Sequence, residues 1–341
     1  WREDVDGWPD LAEEIIRMYG YEHIEPTFLT RASVTHGGWT SAQQQELKFK
    51  RVLAGEGFFE ACNYSFYSPK DFDLFRLPED APERRAIRIL NPIGEDLSVM
   101  RTFLAPAMLQ NVVRNVRRGN AEGRLFELAN AYLAEELPLK ALPKENKRAT
   151  LAVWGDNDFF DLKGAVEAVA ESFSLRLSFG RGEKPFLHPG KTALIRMGER
   201  EVGWMGELHP SLAEELALEK PVYLAELDYD ALARKFAKDI VYHNLPKFES
   251  VQRDLAVVVE EKVTCAELEN AILRACKAAK KAELFDVYRS AQVGAGKKSM
   301  AFRITFSPEE TAEKPLSPEA VDGFFHKIVG NLAHNFGAEL R

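Results

Sequence analysis

The sharpest pattern in the chain lies near its C-terminal end. At residues 299–306, Met300, Phe302, Ile304 and Phe306 alternate with Ser299, Ala301, Arg303 and Thr305, the two-residue period of a half-buried strand. Residues 255–259 and 284–289 also read as strands, and 338–341 suits a short last one. Thr264 followed by Glu267 has the spacing of a capping box, opening a helix to about residue 279. Ser317-Pro318 starts a second helix whose apolar stripe is Val321, Phe324, Phe325, Ile328 and Leu332. The order βαββαβ predicts a ferredoxin-like unit with both helices on one sheet face and the other face open. Strict alternation puts Leu284, Asp286 and Tyr288 on the open face with Arg303. It puts Phe285 and Val287 under the helices with Leu255, Val257, Val259, Phe302 and Ile304.

Residues 40–245 form a mixed section. A helix capped at Thr40 or Ser41 runs to about Ala54, and another covers 104–116; shorter ones fall at 161–172 and 211–216. Strand-like runs recur at 58–67, 124–132, 149–154, 192–197, 202–208 and 222–227. Strands outnumber helices and do not alternate with them, so the fold class is α+β with a largely antiparallel sheet. Ahead of this, Leu11, Ile15 and Met18 repeat at helical spacing between Pro9 and Gly20, a helix with its start and stop residues. Residues 25–38 read as a linker.

The length of 341 residues suits two or three domains, and no apolar run is long enough to span a membrane as a helix. Cys62, Cys265 and Cys276 lack the number and spacing of a disulfide framework or thiolate zinc site and fit a reducing compartment. The chain opens at Trp1 with no apolar signal region and reads as a piece of a longer polypeptide. Net charge is −8, yet residues 247–341 hold 14 basic and 14 acidic residues, so the whole imbalance lies before them. A nucleic acid would have to be held by local patches rather than by the global field.

Candidate chemistry is sparse. Asp10, Glu13 and Glu14 share one helix face, with Asp4 close upstream. On spacing alone this is either a first turn complementing the helix dipole or an oxygen set for a hard cation such as Mg²⁺. Residues 294–299, with Lys297 and Lys298, lack the glycine and hydroxyl of a phosphate loop and read as a hairpin loop with two exposed lysines. His188 and His209 stand alone in turns, suited to capping. No catalytic set is evident in the middle section. On the open C-terminal face, Tyr288, Asp286 and Arg303 suit single-stranded RNA: a ring to stack on a base, a carboxylate for a base edge, a guanidinium for phosphate. An ordinary polar face is the other reading.

Three stretches carry a resemblance. The first is Asp10-Leu11-Ala12-Glu13-Glu14-Ile15-Ile16-Arg17-Met18-Tyr19-Gly20-Tyr21. The second combines Asn91-Pro92, Ser98-Val99-Met100-Arg101-Thr102, Arg124-Leu125-Phe126-Glu127 and Gly206-Glu207-Leu208-His209-Pro210. The third joins Ser250-Val251-Gln252-Arg253-Asp254-Leu255-Ala256 to the closing Phe336-Gly337-Ala338-Glu339-Leu340-Arg341. Together they resemble, in order, the C-terminal part of bacterial phenylalanyl-tRNA synthetase β subunits.

That resemblance implies three parts. Residues 1–30 would be the end of a winged-helix-like domain and a linker. Residues 31–246 would be a degenerate, class II synthetase-like catalytic module, and 247–341 a ferredoxin-fold anticodon-binding domain. Arg124–Glu127 is similar to the core of class II motif 2, but no Gly-rich motif 3 follows near residues 222–228. ATP and phenylalanine are thus expected on the α subunit, and this chain alone is expected to be inactive and, lacking the editing domain, not to edit. The resemblance implies a magnesium site at Asp4, Asp10, Glu13 and Glu14 shared with the α subunit, and anticodon contacts through the C-terminal sheet, which supports Asp286 and Tyr288 as tRNA-binding residues; Arg303 is a candidate from pattern alone. The implied partners are the α subunit, a second α–β pair and phenylalanine tRNA, in the cytoplasm and without membrane. A free-standing RNA-binding paralogue and a self-sufficient class II enzyme are the competing readings.

Overall fold

A computed structural model describes residues 2–27, 37–236, 242, 244, 246–309 and 311–341. The linker read at 25–38 and the boundary read at 246 lie largely outside them. The chain divides into two compact units, residues 1–46 and 47–341.

In the first unit, α1 (Trp8–Tyr19) carries Pro9 in its opening turn, and Gly20 ends it at φ 121°. The amide N–H groups of Asp6 and Gly7 donate to the Asp10 carboxylate at 3.0 and 2.9 Å, so Asp10 caps its own helix. No residue of α1 is buried, and Trp8, Leu11, Ile15 and Met18 form an exposed apolar stripe.

In chain order there follow α2 (Ser41–Gly55), β1 (Phe59–Glu60), β2 (Phe66–Tyr67), α3 (Lys70–Leu74), β3 (Val99–Met100), α4 (Ala105–Arg117), β4 (Gly123–Leu133), β5 (Lys144–Trp154), α5 (Phe159–Ser172), β6 (Ser178–Arg181), β7 (Leu187–Met197), β8 (Arg200–Leu208), α6 (Pro210–Glu215), β9 (Val222–Asp228) and α7 (Tyr229–Ala233). Seven strands make one sheet in the order β1-β4-β5-β9-β8-β7-β6. Every pairing is antiparallel except β1 with β4. Along β5, Leu151 and Val153 meet Phe49 of α2 and Leu162 and Val166 of α5, while Ala152 and Trp154 meet Met108 and Val112 of α4. Both faces of the central strands are covered, which is why 149–154 and 222–227 read as mostly apolar runs, broken only by Thr150 and Glu226, rather than alternating ones. The single strand expected at 58–67 is instead two. β1 joins the large sheet, β2 pairs with β3, and between them Asn63 turns to bond Glu127.

The remaining elements are β10 (Val251–Glu260), α8 (Cys265–Ala275), β11 (Ala279–Tyr288), β12 (Lys297–Phe306), α9 (Pro318–Phe336) and β13 (Glu339–Leu340). They form a four-stranded antiparallel sheet in the order β11-β12-β10-β13, the βαββαβ arrangement expected. Leu255, Val257, Met300, Phe302 and Ile304 pack with Leu268, Ile272, Val321, Ile328 and Leu332 in one core. Thr264 and Glu267 close the capping box of α8, but that helix stops at Ala275 and residue 279 already belongs to β11. Lys298 is buried rather than exposed: it lies within β12, and its ammonium donates to the Glu261 carbonyl at 2.9 Å.

One irregularity rearranges the open face. Leu284 pairs with Phe302, Asp286 with Ala301 and Val287 with Met300, so two residues of β11, Phe285 and Asp286, stand against one residue of β12. This bulge resets the alternation. Leu284 packs on the core instead of facing out, and Phe285, expected under the helices, is 54% exposed. Val287, opposite inward-facing Met300, is itself 38% exposed.

Candidate nucleic-acid interface

The open face of the C-terminal sheet is built on β10, β11 and β12. Asp286 and Tyr288 lie opposite Ala301 and Ser299, the outward positions of β12, so the expected pair does share this face. The Asp286 carboxylate is exposed. Tyr288 is 38% exposed, and the Arg341 guanidinium lies over its ring at 4.5 Å from the centroid, a cation–π contact. Arg303 is held more tightly than the sequence suggested. Its Nε and Nη2 donate to the two Asp254 carboxylate oxygens at 2.9 Å each, across directly paired positions of β10 and β12. That bidentate contact lowers the Asp254 pKa and raises that of Arg303. The same guanidinium stands 5.4 Å from the Phe285 ring centroid. The face thus carries two aromatic rings, each beside a guanidinium, with a carboxylate between them in sequence.

Asp254, Phe285 and Arg341 join the residues chosen from sequence. Asp254 was visible only as part of the Arg253-Asp254-Leu255 motif. The bulge that exposes Phe285 has no glycine to mark it. Arg341 lies far from Tyr288 in sequence and meets it only because β13 pairs with β10.

The acidic quartet behaves differently. Asp4 is held by the Arg2 guanidinium, Nε to Oδ1 at 3.0 Å, which lowers its pKa to about 2. Glu14 lies between Arg17 and Arg2, with Arg2 Nη1 at 2.7 Å, and its pKa too is lowered, chiefly by the Arg17 contact. Asp10 is engaged as the cap and Glu13 is exposed. Among the described residues no three His, Cys, Asp or Glu side chains are grouped to hold a metal ion. As arranged, the quartet does not fit a magnesium ion: a cation already bridges two of its members, and it is Arg2.

In the middle section, several charged groups of β4, β5 and β9 are paired within the fold, although the buried Arg148 Nε finds no hydrogen-bond partner among the described residues. Arg124 donates to Asn157 at 2.8 Å and to Asp161 at 2.9 Å. Glu127, almost fully buried, accepts from Arg101 at 2.9 Å and Asn63 at 2.8 Å. Glu226, also buried, accepts the first N–H groups of α4, from Leu104 at 2.8 Å and Ala105 at 3.0 Å, and pairs with Arg148 at 3.2 Å. Burial raises its pKa against the lowering effect of Arg148 and the helix amides. His209 Nδ1 accepts the Ser211 N–H and His188 Nδ1 accepts the Gly190 N–H, the capping and turn roles expected.

Comparison with known proteins places this geometry. Residues 26–229 match the family model of the phenylalanyl tRNA synthetase beta chain CLM domain, and residues 246–341 match that of the ferredoxin-fold anticodon binding domain. The phenylalanine–tRNA ligase beta subunit of Clostridium acetobutylicum is 38% identical over all of this chain and 43% of its own length. That of Bacillus subtilis is 34% identical over all of this chain and 43% of its own. The chain therefore spans less than half the length of these curated relatives. A pyrrolysyl-tRNA synthetase structure from Desulfitobacterium hafniense aligns over 59% of this chain and 75% of that one, at 16% identity and a TM-score of 0.46, too slight a likeness to bear on the fold. With the first family model covering more than half of the residues and the second closing on Arg341, the chain belongs to the phenylalanyl-tRNA synthetase β chain family.

Proposed function

We propose that this chain is the scaffold and tRNA-binding portion of a phenylalanine–tRNA ligase, in which an α subunit binds ATP and phenylalanine and performs the transfer. The observation that carries this is the open face of the C-terminal sheet bearing Tyr288, Asp286 and Phe285, beside a large sheet whose buried carboxylates Glu127 and Glu226 are held in structural ion pairs. Residues 31–246 read as a degenerate class II module, residues 247–341 as the anticodon platform, and residues 1–30 as the end of a winged-helix-like domain with its linker. The exposed stripe of α1 offers an apolar surface to the α subunit, and a second α–β pair completes the assembly. Magnesium at Asp4, Asp10, Glu13 and Glu14 requires Arg2 to leave Asp4 and Glu14 and ligands to come from the α side; no step of this reading depends on it. The family favours this over a free-standing paralogue, and a cytoplasmic location follows from the function proposed.

On the tRNA, Tyr288 stacks on an unpaired base and Asp286 accepts from a base edge, Arg341 supplies local positive charge, and Arg303, paired with Asp254, offers its remaining N–H groups to the RNA. The test is to purify the chain alone and with its α subunit. The chain alone should show no ATP–pyrophosphate exchange, and the complex should show it. Exchange by the chain alone would overturn the degenerate-module reading.

A further inference from the structure

We infer that Phe285 is a second base-stacking platform, set beside Tyr288 by the β11 bulge, so that the face holds two unstacked bases of an anticodon loop. This rests on the tRNA-binding reading above. Regular alternation cannot put residues 285, 286 and 288 on one side of a strand, because neighbouring side chains point to opposite faces. The bulge does so by setting Phe285 and Asp286 together against Ala301 and returning Tyr288 to the outward position opposite Ser299. Bulges commonly re-aim side chains at functional sites.

Phe285 is also prepared for a flat ligand. Its ring is more than half exposed, and one side is set by the Arg303 guanidinium, which cannot swing freely because Asp254 holds it through two hydrogen bonds. Residues 285 and 288 stand three positions apart along β11 with Asp286 between them, a spacing suited to bases splayed apart rather than stacked on one another. Asp286 between them has its carboxylate free of ion pairs among the described residues, available to a base edge. Asp254 and Arg303 act here as positioning residues.

The experiment uses the assembled α–β enzyme and a tRNA anticodon stem-loop. Binding is measured for the wild type, Phe285→Leu, Phe285→Trp and Tyr288→Leu, with thermal melting as a folding control. Phe285→Leu should weaken binding by about 5- to 150-fold, the range of one lost base stack, and Phe285→Trp should restore it. Replacing the loop bases one at a time by abasic sites should locate one base whose removal weakens wild-type binding but not Phe285→Leu binding. A different base should behave that way for Tyr288→Leu. If Phe285→Leu binds like the wild type while Tyr288→Leu is weakened, the second platform is overturned and the tRNA-binding face stands. If neither change weakens binding, both fall. If Phe285→Leu instead reduces α–β association with RNA affinity per complex unchanged, the ring is a protein contact and the inference is overturned.

Discussion

At the scale of single residues, the central sheet is defined by charges buried with their partners. Arg101 and Glu127 each keep about 4% of their side-chain surface exposed, and Asn63 occupies a further carboxylate position. Removing one partner strands the other charge in the interior, which costs more than the intact pair contributes. Glu127→Ala should therefore destabilise the fold by about 3–5 kcal/mol, read by urea unfolding. Asp71 makes a complementary case. Burial raises its pKa to about 6, outweighing the Gln110 hydrogen bond that lowers it. Its folded pKa exceeds the unfolded value near 4, so between these the native state holds the proton more tightly. Stability from this group is greatest below about pH 4 and falls as pH rises toward 6. Asp71→Asn should flatten that part of the stability–pH curve and raise stability above pH 7 relative to wild type, the two proteins converging near pH 4.

At the scale of elements, close strand pairing fixes what the sheet tolerates. A Cβ at Gly203 in β8 would clash with the Glu226 carbonyl oxygen of β9, a backbone atom that cannot yield without moving the strand. Gly203→Ala should destabilise by about 1–3 kcal/mol through overpacking, measured by thermal or urea unfolding. Elements were well legible in the sequence where one period held throughout. The strand at 299–306, the capping box at Thr264 and the helix after Ser317 all formed as their patterns required. Legibility failed where tertiary pairing overrode the local period. The run at 58–67 was divided between two sheets, and the β11 bulge exchanged the places of Leu284 and Phe285 while sparing Asp286 and Tyr288. The contacts of the acidic quartet were not legible in the sequence: Arg2 bonds Asp4 and Glu14, and Asp10 caps its own helix.

At the scale of the whole chain, charge and function are separated. The excess of negative charge lies before residue 247, and the domain assigned to RNA is formally neutral. Binding there must draw on stacking and edge contacts more than on neutralised phosphates. The large sheet contributes position: its buried carboxylates Glu127 and Glu226 hold β4, β5, β9 and the start of α4 together. The central claim is that this chain grips tRNA while its partner performs the chemistry. Tyr288→Ala in the assembled enzyme tests it most directly, with amino-acid activation and tRNA charging measured side by side. The account predicts ATP–pyrophosphate exchange unchanged and tRNA affinity lower by about 1–3 kcal/mol, with charging efficiency falling accordingly. Loss of exchange, or tRNA affinity left at the wild-type value, would contradict it.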